Sequence, residues 1–367
     1  MDPRFWRHFD LPLLATALVL SALGVAAIYS ATLGIEGTDS LDSRVLRQVI
    51  YVVVGLVLMA GLATTDYRVW TNLAYPSYGL ILVALLAVNL IGRVAHGSQR
   101  SFHLVLFDVQ PSEAAKLILA LALARFVSSN PEGIRTWRGF GQTLLLAGAP
   151  TALTLAQPDL GTATVFLAIW LFVVVVAGAR VLHLAAVFVL GLAAAPLVWL
   201  VMPAYQRERV MVFLNPQADE LGSGYNVIQA LISVGSGGLT GRGYLSGTQS
   251  QLHFLRVKYA DFIFSVVAEE LGFIGATILI VLLSVLIFRG LRVAARSRDA
   301  FGRLVAVGIV AGFFWQTFVN TGMNVGLLPV TGVPLPLISY GGSSAMTVLS
   351  CIGVLQSISM RHRRFEL

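Results

Sequence analysis

The sequence predicts an all-α polytopic membrane protein of about ten transmembrane helices, with a long outer loop between the seventh and eighth and an apolar re-entrant loop between the ninth and tenth. Three observations carry this. Of 367 residues, 57% are hydrophobic and 12% charged, against about 25% charged in soluble domains. The apolar residues fall in runs of about 20, the length that crosses a bilayer core. The net charge of +7 is concentrated in short basic segments between those runs, such as Arg289, Arg292, Arg296, Arg298 and Arg303. Such a distribution is a topology signal and excludes a nucleic-acid partner.

The spans read as 11–33, 46–64, 69–92, 112–128, 139–156, 161–178, 181–202, 262–288, 303–321 and 343–360, within a single domain over 1–367. The first run is too long for a signal-peptide core and has no convincing small-residue cleavage site, so it is a retained helix. An even number puts both termini on one side. If that side is the cytoplasm, fifteen arginines lie inside: Arg4, Arg7, Arg68, Arg125, Arg135, Arg138, Arg180, the five of 289–303, and Arg361, Arg363 and Arg364. The short outer segments hold five basic residues, Arg44, Arg47, Arg93, Arg100 and Lys116. The positive-inside rule therefore places both termini in the cytoplasm and the 203–261 loop outside. The absence of an internal repeat weighs against an inverted-repeat transporter.

The fourth span opens with Gln110-Pro-Ser-Glu113-Ala-Ala-Lys116. Ser112 reads as its N-cap, and Glu113 and Lys116, three apart, share a face. They form either an internal pair or part of a site for phosphate or for Asp261. Asp159, in Gln157-Pro-Asp-Leu-Gly161, reads as the cap of the sixth span.

In the 203–261 segment, Arg207 and Arg209 sit at headgroup level, where they serve either lipid phosphates or a substrate. Tyr225 to Val234 has helical spacing and suits a short helix against the bundle. Gly235 to Gly243, which carries Arg242, reads as a turn or as a backbone anion cradle. Asp261 stands where the eighth span begins. A carboxylate there is either a helix cap or a general base, and the helix dipole favours its charged form in both roles. Glu269 and Glu270 follow roughly 12 Å deeper and read as bonds within the bundle.

Gln316, Asn320 and Asn324 share one face of the ninth span and read as interhelical bonds. The stretch 324–344, NVGLLPVTGVPLPLISYGGSS, is uncharged yet rich in proline and glycine. It cannot be a regular spanning helix and must be buried or line a cavity. The six histidines are scattered without metal-ligand spacing, and Cys351 is the one cysteine, so neither a metal cage nor an internal disulfide is expected.

That stretch resembles the signature of the SEDS family (shape, elongation, division and sporulation). QPSEAAK at 110–116, QPDLGTA at 157–163, RERVMVFLNPQADELGSGYNVIQALISVGSGGLTGRGYLSGTQSQLHFL at 207–255 and ADFIFSVVAEELGF at 260–273 agree with the family in order. The resemblance covers nearly the whole chain and is closer to the elongation member than to the division member. It implies ten spans and a peptidoglycan glycosyltransferase that polymerises lipid II. It also implies an essential acid at Asp261 and functional roles for Glu113 and Lys116. Where the family reads Leu-Pro-Glu before the acid, this chain has Leu255-Arg256-Val257.

On this reading Asp261 is the general base. Glu113 and Lys116, with Arg207, Arg209 and Arg242, are the substrate-binding residues, the basic ones holding the polyprenyl pyrophosphate. A divalent cation, magnesium or manganese, is a further expectation, since pyrophosphate recruits such ions with few protein ligands. The chain lacks a Ser-x-x-Lys transpeptidase domain. The resemblance therefore implies a class B penicillin-binding protein as partner, within the elongation machinery of the bacterial inner membrane. The rival readings are a lipid II flippase without glycosyltransferase chemistry, and a scaffold for a partner synthase.

Overall fold

A computed structural model describes residues 8–33, 43–91, 93–95, 98–103, 108–219, 223–251, 254–255 and 258–361. Arg4, Arg7, Arg363 and Arg364 of the topology count lie outside the described residues, as do Arg256 and Val257 before Asp261.

Ten helices coincide with the predicted spans. They are α1 (Leu11–Thr32), α2 (Ser43–Thr64), α3 (Val69–Ile91), α4 (Pro111–Ser129), α5 (Trp137–Leu155), α6 (Leu160–Val176), α7 (Val181–Val201), α11 (Ile263–Arg296), α12 (Ala300–Asn324) and α13 (Gly342–Met360). Between α7 and α11 lie α8 (Ala204–Leu214), α9 (Ser223–Ser236) and α10 (Thr248–Gln251). Among the described residues, seven helices are long and apolar enough to cross a membrane: α1, α2, α3, α7, α11, α12 and α13. α6 is apolar but has 17 residues.

Helix α12 is the centre of the bundle, packed by α4, α6 and α11, while α13 lies along α2. Apolar side chains gain little by leaving lipid for one another, so close packing through small residues is what joins such helices. Gly308 of α12 meets Ala120 of α4, where an added Cβ would lie 2.7 Å from the alanine Cβ. At one end, Asp10 caps α1 through Leu13 N (2.9 Å) and takes a 2.6 Å bond from Arg289 Nη2 of α11. Gln356 of α13 bonds both the N–H and the carbonyl of Asp10. Ser359 Oγ donates to the His8 carbonyl at 3.1 Å, so both terminal segments meet at this end, as an even number of crossings requires.

The structure departs from the sequence reading in three places. α4 starts at Pro111 with Gln110 as N-cap, so Ser112 is not the cap. Proline suits the first helical position because its missing N–H needs no partner there. The α3–α4 connection holds a small antiparallel sheet, β1 (Arg93–Ala95), β2 (Ser98–His103) and β3 (Asp108–Val109), in that order. Its strands are too short to announce themselves in an all-helical pattern. Finally, α11 is broken at Gly272 (φ 66°, ψ −166°), a conformation open essentially to glycine alone.

That break is filled by the glycine-rich turn after α9. Arg242 N and Gly243 N donate to the carbonyls of Glu269 and Glu270, both at 3.0 Å. Phe273 N and Ile274 N donate to Gly238 O (2.9 Å) and Leu239 O (3.1 Å). The backbone groups freed by the break are thus satisfied by the turn, as burial demands. A Cβ on Gly241 would lie 2.1 Å from Glu270 O, which explains the glycines without invoking an anion.

Candidate active site

Asp261 sits in the turn before α11 and is held through its backbone. Asn320 Nδ2 (3.2 Å) and Asn324 Nδ2 (3.0 Å) of α12 both donate to its carbonyl. Asn324 Oδ1 accepts from Ser265 Oγ (2.6 Å) and Ser265 N (3.2 Å) in the first turn of α11. The N-cap position of α11 is Phe262, with no side-chain cap bond. A residue of α12 therefore bonds the first turn of α11, and the N-cap position itself is Phe262 rather than Asp261.

The irregular 325–341 segment clamps the other side. Ser339 Oγ donates to Ala260 O (2.7 Å), Tyr340 N donates to Tyr259 O (2.9 Å), and Asn320 Nδ2 also donates to Val333 O (2.8 Å). Val333, Leu335, Leu337 and Ile338 are buried, so this segment packs into the core. Gly332 (φ 76°) faces the Asp261 carboxylate, where a Cβ would lie 3.7 Å from Oδ2.

Asp261 lines two cavities. One, of about 270 Å³, is walled by Asp108, Glu113, Asp159, Tyr51, Tyr340 and Ser343, among others. The second, of about 210 Å³, is walled by Arg209 and Val212 of α8, Asn226 of α9, and Leu328 to Val330.

The remaining predicted residues fall as follows. Glu113 and Lys116 are buried and paired at 2.6 Å, with Glu113 on the first cavity. Glu113 Oε2 is buried without a hydrogen-bond partner. Arg209 Nη1 is likewise buried without a partner. Arg207, two residues earlier on α8, points elsewhere and donates to Met202 O (2.7 Å) and Leu200 O (3.0 Å), closing the end of α7. Arg242 Nε donates to Ser236 O at 3.2 Å beside the Gly272 break. Neither Arg207 nor Arg242 lines a cavity that Asp261 lines.

Asp159 caps α6 as expected, through Thr162 N at 3.0 Å, and also faces the first cavity. Tyr51, Asp108, Tyr340 and Ser343 were not singled out from sequence. Tyr340 and Ser343 stand in the signature stretch itself, which was their one available signal.

Glu269 Oε1 accepts from Gln249 N (2.8 Å) and Thr248 Oγ1 (3.3 Å), and Glu270 accepts from Ser30 Oγ of α1, so both acids hold the bundle and its loop together. Lys258 is fully buried beneath the Asp261 turn. Burial lowers its pKa to about 8, partly offset by Glu270 and Glu269. Among the described residues no group of three or more His, Cys, Asp or Glu could hold a metal ion.

Fold and site together define a polytopic membrane protein that fixes Asp261 where two cavities meet. Residues 11–364 match the cell cycle protein family of FtsW, RodA and SpoVE. Over 98% of its length the chain is 41% identical to the peptidoglycan glycosyltransferase MrdB of Escherichia coli, covering 96% of that protein. It superposes on a chain of a peptidoglycan synthase complex with a TM-score of 0.83 and 34% identity, covering 96% of this chain and 97% of that one. The rod shape determining protein RodA of Thermus thermophilus gives a TM-score of 0.70 with 30% identity, over 97% of this chain and 98% of that one. The chain belongs to the FtsW/RodA/SpoVE family and is a multi-pass bacterial membrane protein.

Proposed function

We propose that the chain is a peptidoglycan glycosyltransferase that polymerises lipid II into glycan strands for elongation, with Asp261 as general base. The observation that carries the base assignment is the backbone clamp on Asp261. Its carbonyl is fixed by Asn320 and Asn324, and the residue lines both cavities.

Displacing an α-linked pyrophosphate to give a β-linkage is a single inversion. The acceptor hydroxyl gives its proton to Asp261 as its oxygen bonds the anomeric carbon, and the C–O bond to pyrophosphate breaks with the electron pair leaving on phosphate. A positioned base of this kind contributes about 10²–10⁴-fold. The Glu113–Lys116 pair stiffens the wall that the acceptor meets.

The fifteen-to-five bias of basic residues and the meeting of the terminal segments support cytoplasmic termini and an extracytoplasmic site. A class B penicillin-binding protein as cross-linking partner is supported by the likeness to a chain of a synthase complex. The described residues form no metal cage, so no step is routed through a cation. A magnesium or manganese ion brought in by the pyrophosphate is proposed, and would make the rate fall on chelation and recover on adding back either ion.

The test is purified protein with lipid II and no other glycosyltransferase. Glycan strands are expected. Labelled-lipid movement across liposomes without glycan would overturn the reading in favour of a flippase.

A further inference from the structure

The two cavities that meet at Asp261 carry opposite unmet demands. In the smaller, the unpartnered group is a donor, Arg209 Nη1, buried with no acceptor. In the larger, it is an acceptor, Glu113 Oε2, on a residue 3% exposed whose other oxygen is held by Lys116 at 2.6 Å. A buried polar group left without a partner is costly, so each marks the chemistry its cavity is built to receive. The guanidinium nitrogen requires an anion, and a planar guanidinium suits phosphate geometry. The carboxylate oxygen requires an O–H or N–H donor and repels an anion.

The other walls agree. Around Glu113 the larger cavity carries Asp108, Asp159, Tyr51, Tyr340 and Ser343; no lysine or arginine is among its described lining residues, and Arg47 of α2 bonds the Tyr340 side chain. Carboxylates and hydroxyls of this kind suit a saccharide. Among the described residues the smaller cavity has no acid but Asp261, and besides Arg209 it is walled by apolar residues and Asn226. Asp261 is the residue that lines both the Arg209 cavity and the Glu113 cavity.

We infer that the Arg209 cavity binds the pyrophosphate of the donor and that the Glu113 cavity binds the hydroxyl-bearing end of the acceptor. This rests on the glycosyltransferase reading and assigns its two substrates to sides. Inversion needs nucleophile and leaving group on opposite faces of the anomeric carbon, and two separate cavities that share the base give each a place of its own. Acceptor oxygen bonds carbon from the Glu113 side and its proton passes to Asp261. Pyrophosphate departs with its electron pair toward Arg209. Of the four basic residues considered from sequence for the leaving group, Lys116 is occupied by Glu113, while Arg207 and Arg242 bond to backbone carbonyls away from both cavities.

The experiment uses the full chain in nanodiscs and two probes added during lipid II polymerisation. One is farnesyl pyrophosphate; the other is a short soluble glycan with a free acceptor hydroxyl. Arg209→Gln should weaken inhibition by farnesyl pyrophosphate about 10- to 100-fold, the range for a hydrogen bond to a charged group, and leave inhibition by the glycan unchanged. Arg209→Lys, which keeps the charge, should recover part of that loss and covers the case in which Arg209→Gln fails to fold. Glu113→Gln should weaken the glycan and not the pyrophosphate.

Nanodiscs of phosphatidylcholine alone and with phosphatidylglycerol separate substrate phosphate from lipid phosphate. The Arg209 effect should be the same in both. An effect confined to phosphatidylglycerol overturns the assignment and makes Arg209 a membrane anchor. Pyrophosphate inhibition insensitive to Arg209, or lost with Glu113→Gln, also overturns it. Wild-type protein that makes no glycan would instead sink the glycosyltransferase reading itself.

Discussion

Asn324 joins the fold to the site, and replacing it with leucine tests the connection. The side chain is fully buried and makes bonds to Ser265, Asp261 and Asn320. In Asn324→Leu the Ser265 N–H keeps its 3.1 Å bond to Phe262 O, and the Asp261 carbonyl keeps the 3.2 Å bond from Asn320. Three bonds of the Asn324 side chain are lost, from Ser265 Oγ, from Ser265 N and to the Asp261 carbonyl, while both backbone groups retain a partner. At about 0.5–1.5 kcal/mol for each of the three bonds, the loss is roughly 2–4 kcal/mol. Release of the Asp261 turn should also lower turnover about 10²-fold, the scale expected for a misplacement near 1 Å. Asn320→Leu alone leaves Asn324 on the Asp261 carbonyl, whereas the double variant strips that carbonyl of both donors. The double variant should therefore lose more than the sum of the single losses, by about 1–3 kcal/mol. Unfolding in detergent, followed by tryptophan fluorescence, and lipid II polymerisation provide the two readouts. Additive losses, or Asn324→Leu with wild-type stability and turnover, would refute the clamp.

Three further predictions concern the surroundings. Gly272→Ala would bring a Cβ to 2.2 Å from Gly241 N in a backbone conformation alanine avoids; it should lower the unfolding temperature in detergent, with stability reduced by about 3 kcal/mol or more, and an unchanged temperature would contradict the docked turn. Glu113→Leu or Lys116→Met alone should each destabilise by about 3–5 kcal/mol by orphaning a buried charge, while the double variant regains most of that loss; unfolding midpoints of the three variants check this. Lys258, with its pKa lowered to about 8 from 10.5, binds fewer protons folded than unfolded between those values, so stability should rise with pH across that window. Melting curves of wild type and Lys258→Met from pH 7.5 to 9.5 should then diverge, and parallel curves would show that Lys258 contributes no such slope.

Apolar run length made the ten helices legible, because lipid leaves a chain few ways to satisfy its backbone. Proline and glycine without charge likewise marked 324–344 as irregular and buried. The asparagine face of α12 was readable as a bonding stripe, but its partner, the Asp261 carbonyl, is far away in sequence. For the same reason the bond on the first turn of α11 was not legible, since its acceptor comes from another helix. The glycine stretch read as a turn or an anion cradle, and the choice was not legible because the break it fills, at Gly272, lies outside that local pattern. Arg207 and Arg209 were grouped together from sequence, yet residues two apart on a helix face different ways. Had 204–214 been read as a helix, that spacing would have separated them.

The central claim is that Asp261 acts as base on a scaffold that does not depend on its charge. Asp261→Asn keeps the backbone clamp and the side-chain shape while removing the proton acceptor. Purified protein carrying this change, given lipid II, should melt within a degree or two of wild type and lose glycan synthesis by about 10²–10⁴-fold. Synthesis at the wild-type rate by the folded variant would contradict the account.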